Sequence, residues 1–167
     1  MSDHIVVVAK TQVIVVNPAS SSVSVSYTGP VGPAGPAQST YIYEVPLSKP
    51  TDAAISTGTT IAAFRAPANI NGKNLTGVAA LLTTPSSSGV VTVDVNRSRR
   101  TNATTRSVVS MLSTKLTIDP NEYDSVDATA AVIDTTNDDV QTGDHLLFDI
   151  DTAGVGAKGL LLELTFS

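Results

Sequence analysis

The sequence predicts an all-β fold: a jelly-roll-like antiparallel β-sandwich preceded by a short N-terminal β arm and a Gly-Pro-rich neck. Three observations carry this reading. The chain is 41% hydrophobic but only 4% aromatic, and its abundant Val, Ile, Leu, Ala and Thr suit pleated sheets better than helical bundles. Short apolar or alternating runs recur between turns rich in Gly, Pro, Asn and Ser. Residues 29–37 read Gly-Pro-Val, Gly-Pro-Ala, Gly-Pro-Ala, three consecutive Gly-X-Y triplets that divide the chain into an arm over 1–28, a neck over 29–37 and a knob over 38–167.

In the arm, Ile5–Ala9 and Gln12–Val16 are apolar runs and Val23–Tyr27 alternates, which predicts a short meander. Two or three short strands cannot cover their own apolar face, so the arm is expected to dock onto something larger. Val6, Val8, Val13, Val15 and Val16 are the candidate anchoring residues. In the neck, glycine at every third position suits three polyproline II chains crowding one axis, where no side chain fits. Gly29, Gly32 and Gly35, with Pro30, Pro33 and Pro36, therefore point to a homotrimer, the alternative being a proline-rich spacer. Nine residues reach only about 28 Å, too short to hold a triple helix alone, so the trimer is expected to rest mainly on the knob and the arm.

The knob opens on Tyr41–Val45, and further strands are expected at Thr60–Arg65, Leu75–Thr83, Val90–Asn96, Arg106–Leu112, Lys115–Ile118, Ala130–Ile133, His145–Asp151 and Gly159–Phe166. The alternation of Val91, Val93 and Val95 with Thr92 and Asp94 predicts a valine face in the core and a wet face opposite. One helical turn is expected near Pro120–Ser125. Eight or nine short, closely spaced strands favour a sandwich, and the jelly roll is the version built from eight.

Several motifs suggest chemistry. Gly154–Gly159 matches G-x-G-x-x-G, but only eight residues remain and Leu160–Phe166 looks like a strand, so no helix N-terminus is available for a pyrophosphate. The expectation is a hairpin loop joining the last two strands, with Lys158 solvated. Ten of fifteen carboxylates lie between Asp119 and Asp151, a density that invites Ca2+ at loops such as 134–139, yet the D-x-D-x-D-G spacing is missing. Those carboxylates are expected to cap turns, accept backbone N–H bonds and keep the surface soluble, with Ca2+ the alternative. Asp149 and Asp151 form the one glycosidase-like acidic pair, without an aromatic sugar platform. His145, at the start of an apolar strand, is the only credible catalytic base, and no serine stands in a nucleophile elbow. Arg97, Arg99, Arg100 and Arg106 cluster around the turn between two strands and form the best interaction patch, suited to a neighbour's acidic loop or an anionic surface polymer, the alternative being a solvated hairpin tip.

Cysteine is absent, which excludes disulfides and thiolate metal sites. The net charge of −5 argues against a nucleic-acid binder. No apolar run approaches the length of a membrane span, and the start Met-Ser-Asp-His-Ile-Val-Val-Val lacks a cationic, apolar secretion signal, so synthesis in a cytoplasm without secretion is expected.

The stretch from Leu116 to Phe166, with Thr-Ile-Asp-Pro-Asn-Glu-Tyr-Asp-Ser, Val-Ile-Asp-Thr-Thr-Asn-Asp-Asp-Val-Gln-Thr-Gly-Asp and Asp-Ile-Asp-Thr-Ala-Gly-Val-Gly-Ala-Lys-Gly-Leu, resembles structural proteins of tailed bacteriophages of the head-fibre, decoration or minor-tail type. The likeness extends weakly through Phe64-Arg-Ala-Pro-Ala-Asn-Ile70. It implies a trimeric β-sandwich knob on the virion exterior, capsid or tail, made in the host bacterial cytoplasm, whose partners are its own copies and the major capsid protein or other virion subunits. It carries no catalytic residues and no cofactor. Capsid decoration is the first expectation; a minor tail or fibre protein whose knob binds the host surface is the second.

Overall fold

The computed structural model describes residues 6–9, 12–15 and 40–167. The chain divides into two units, Met1–Ala37 and Gln38–Ser167. In the first, β1 (Val6–Ala9) and β2 (Gln12–Val15) pair antiparallel, with Val6 opposite Val15 and Val8 opposite Val13. Val16, the expected strand at 23–27 and the neck residues Gly29, Pro30, Gly32, Pro33, Gly35 and Pro36 lie outside the described residues.

The second unit is an antiparallel β-sandwich. Its long strands are β3 (Tyr41–Pro46), β4 (Gly58–Arg65), β5 (Lys73–Leu81), β6 (Val91–Arg100), β7 (Arg106–Ser110), β12 (His145–Ala153) and β13 (Leu161–Phe166). Short ones are β8 (Leu112–Thr114), β9 (Leu116–Ile118), β10 (Val132–Ile133) and β11 (Asp139–Val140). One sheet has the order β11-β5-β13-β3 and the other β4-β12-β6-β7, with β9 also on β6. The first strand of the unit pairs with the last, β4 with β12, and β5 with β11, so the chain rolls up as a nested hairpin in which β3, β4, β5 and β6 alternate between the sheets.

Period-2 patterning builds the core. Val91, Val93 and Val95 of β6 face Leu162, Leu164 and Phe166 of β13 in a single buried cluster with Leu146 and Phe148 of β12 and Leu75 of β5. Fully burying each such side chain contributes about 1.5–3 kcal/mol. Tyr43 links the sheets: its ring lies 4.9 Å from Phe64 of β4 and 6.1 Å, edge-on, from Phe166, while its hydroxyl hydrogen-bonds Asn69.

Several expectations are corrected. β6 runs on to Arg100, so three of the clustered arginines are strand residues rather than turn residues. Asp94 is not on a wet face; it is only 6% exposed, accepts the Ser110 hydroxyl at 2.8 Å and pairs with Lys115 at 3.1 Å. The strand expected at Arg106–Leu112 is interrupted at buried Met111, where the Ser110 hydroxyl takes the Leu112 N–H at 3.1 Å and bends the chain into β8. Residues 120–125 form turns without a helix, Asn121 adopting φ 68°, and the one helical turn among the described residues is a 3-10 turn at Ala68–Ile70.

The Gly154–Gly159 loop joins strands of different sheets and is therefore a crossing at the sandwich end rather than a hairpin. Gly154, at φ 61°, packs so closely under the 86–89 turn that a Cβ would meet the Ser86 hydroxyl and lie 2.9 Å from the Gly89 carbonyl. The Ser86 hydroxyl already donates within that turn and accepts the Val155 N–H at 3.0 Å, so it has little freedom to withdraw. Gly154→Ala is expected to lower stability by roughly 1–3 kcal/mol, read as a fall in the urea midpoint; an unchanged midpoint would mean that the crossing is not held there.

Candidate functional site: an arginine-lined cleft

The far ends of β4 and β6 and the start of β12 lie side by side, with Arg65 opposite His145 and His145 opposite Ser98. The turn Gln141-Thr142-Gly143-Asp144 caps this edge: Gly143, at φ 88°, donates its N–H to the Ala66 carbonyl at 2.9 Å, and Ala66 donates back to the Asp144 carbonyl at 2.8 Å. Around the turn opens a polar cleft of about 330 Å³ lined by Arg65, Arg99, Arg100, Arg106 and His145.

The arginines fall into two classes. Arg97 and Arg99 point into the sandwich end and are neutralised by their own chain. Arg97 is 8% exposed and donates to the Asn137 carbonyl at 3.1 Å, the Asp139 carbonyl at 2.6 Å and the Asp139 carboxylate. Arg99 grips buried Asp144 through two nitrogens at 2.7–3.2 Å and reaches Asp139 at 2.7 Å. The hydrogen bond to Asp144 is the main reason the Arg99 guanidinium is held above its ordinary pKa, against the opposing effect of burial. Burial alone would raise the Asp139 carboxyl, but the hydrogen bond from Arg99 and the charges of Arg97 and Arg99 outweigh it and its pKa falls below the ordinary value.

Arg65, Arg100 and Arg106 form no ion pair with a carboxylate among the described residues. Arg106 is fixed by the Ser98 hydroxyl at 2.9 Å and the Ser98 carbonyl at 2.5 Å, and Arg100 by the Asn102 carbonyl at 2.9 Å. Arg100 and Arg106 stand directly opposite each other across β6 and β7, a like-charge pairing that an anion relieves. Three unneutralised guanidinium groups around one polar hollow suit an anionic ligand, whose oxygens each fork can take in pairs. Of the four arginines singled out in the sequence, Arg100 and Arg106 thus line the surface, Arg97 is spent inside, and Arg99 lines the cleft while being spent on Asp139 and Asp144. Arg65 and His145 complete the rim; their joining depends on the β4–β12–β6 register, which no local pattern states.

The remaining candidates have structural partners. Asp149 accepts the N–H of Thr60 at 2.6 Å, where Thr60 takes the unusual φ of 53°, and the Asn96 amide at 2.9 Å. Asp151 holds Lys115 at 2.5 Å, and this hydrogen bond leads the causes that raise the lysine pKa. Asp134 is bound by the hydroxyl and N–H of Thr136 and the amide of Asn137, which lower its pKa. Among the described residues no group of three His, Asp or Glu side chains is arranged to hold a metal ion.

Comparison with known proteins finds no matching family model, no similar curated protein and no similar solved structure.

Because the folded-state pKa of Asp139 is depressed, its contribution to stability is present above the unfolded carboxylate value of about 4 and is lost as pH falls through the lower folded value. The melting temperature of the wild type is expected to drop more steeply below about pH 4 than that of Asp139→Asn; identical acid limbs would show that the carboxylate gains nothing from the arginines.

Proposed function

We propose that the protein is a non-enzymatic structural component of a phage virion: a trimeric capsid decoration protein whose N-terminal arm binds the particle and whose sandwich projects from it. The observation that carries this reading is the pairing of a self-sufficient sandwich with a separate β1–β2 hairpin of four-residue strands. Such a hairpin is marginal alone and gains stability by adding to a larger surface. Val6, Val8, Val13 and Val15 fall in its paired strands, as an anchor requires. On a capsid, three such anchors around a local threefold would staple neighbouring subunits where packaged DNA pulls them apart. The nested strand order supports the jelly-roll expectation for the knob, and the resemblance of residues 116–166 to virion proteins supports the setting.

A second reading has its own observation. The cleft formed by Arg65, Arg100 and Arg106 suits an acidic host surface polymer, which favours a minor tail or fibre protein whose knob adheres to the cell. Immunogold labelling with an antibody against the sandwich separates the two. Many grains over each head are expected; a few grains at the tail tip would replace decoration by the adhesin reading, and unlabelled virions would overturn both.

A further inference from the structure

The outer face of the β3–β13–β5 sheet has the make-up of a covered surface. Register sets its rows: Pro46, Leu161 and Leu81 lie across the three strands, then Glu44, Glu163 and Ala79, then Ile42, Thr165 and Gly77. The segment after Asn121 widens the first row, since the Ser125 N–H donates to the Ala80 carbonyl at 3.0 Å and the Leu82 N–H to the Tyr123 carbonyl at 2.6 Å. Large apolar side chains here stand in water: Leu81 is 43% exposed, Ile42 and Tyr123 60%, and Val126 80%. A shallow hollow of about 180 Å³ runs between Leu81, Leu161 and Val126 on one side and Glu44 and Glu163 on the other.

The two glutamates make this more than an apolar patch. Glu44 and Glu163 are register-opposed on one face, which places their Cβ atoms roughly 5 Å apart, where like charges destabilise the sheet. Neither meets a lysine or arginine among the described residues. A cation delivered between them reverses the sign of that interaction, and an apolar rim that excludes water strengthens it. The chain itself offers such cations: Lys49, Arg65 and Arg100 are exposed and form no ion pair among the described residues.

We infer that this face is the contact between copies of the chain, with Ile42, Leu81 and Val126 buried by the neighbour and a neighbour's lysine or arginine seated between Glu44 and Glu163. The inference rests on the trimeric reading above and names the surface that closes the trimer. A second copy is the fitting occupant because it brings both the apolar area and the missing positive charge.

The test uses the full chain. Sedimentation of the wild type is expected to give about three times the 17.2 kDa chain mass, with carbodiimide labelling of Glu44 and Glu163 several-fold slower than that of exposed Asp127. The double substitution Leu81→Glu with Val126→Glu should abolish that protection, and Val108→Glu on the other sheet should leave it intact. Unchanged far-ultraviolet circular dichroism confirms that each variant folds. A wild-type trimer whose Glu44 and Glu163 label as fast as Asp127, or a double variant that keeps the protection, overturns the interface while leaving the trimer standing. A wild-type monomer overturns both.

Discussion

The four-residue ion cluster of Arg97, Arg99, Asp139 and Asp144 is the constraint on which the arrangement of this domain depends. It binds β6 of one sheet to β11 at the edge of the other, and β6 to the turn that opens β12. A hydrophobic core fixes how far apart two sheets lie but tolerates sliding; directed hydrogen bonds from guanidinium forks do not. Burying Arg97 and Asp144 carries a desolvation cost, and the Arg97 Nε is left without a partner. That cost is offset only if the geometry is kept, so the cluster selects one relative placement of the sheets.

The cleft follows from the same cluster. Asp144 takes the Gln141 N–H at 2.9 Å as well as Arg99, which sets the turn whose Gly143 carbonyl lies 3.4 Å from Arg106. With Arg97 and Arg99 held inward by period-2 alternation, Arg100 falls on the exposed edge beside Arg65. The arginine-rich end is thus partitioned: Arg97 and Arg99 are matched with carboxylates of the chain, and Arg65, Arg100 and Arg106 form no ion pair among the described residues. On the far sheet the imbalance runs the other way, with Glu44 and Glu163 side by side. Surfaces of opposite surplus on one domain fit the assembly proposed above.

Much of the sandwich was legible in the sequence because alternation reports directly on burial: Val91–Val95 and Leu162–Phe166 have the period of strands with one face in a core. The extension of β6 through Arg100 was not, since Arg-Ser-Arg-Arg carries no apolar signal and its inward side is satisfied by carboxylates about forty residues away in sequence. β11 was missed for a related reason, being two residues, one of them charged, defined by pairing with Asn74 and Lys73 rather than by composition. Asp94 looked wet beside the valines; its burial depends on Lys115 and Ser110, which arrive only when β7, β8 and β9 fold back over β6. The acidic run between Asp119 and Asp151 was readable as capping chemistry, whereas the selection of Asp139 and Asp144 as arginine partners is a property of the topology.

The most direct test of the clamp is a double-mutant cycle on Arg97 and Asp139, the pair that joins the two sheets, with stability read from urea unfolding of Arg97→Met, Asp139→Leu and the combined variant. Each single substitution strands a partly or fully buried charge and should cost roughly 3 kcal/mol, while the pair together should cost far less than the sum. Strictly additive losses would contradict the account, because they would mean that the two groups do not hold each other and that the sheets are registered by the apolar core alone.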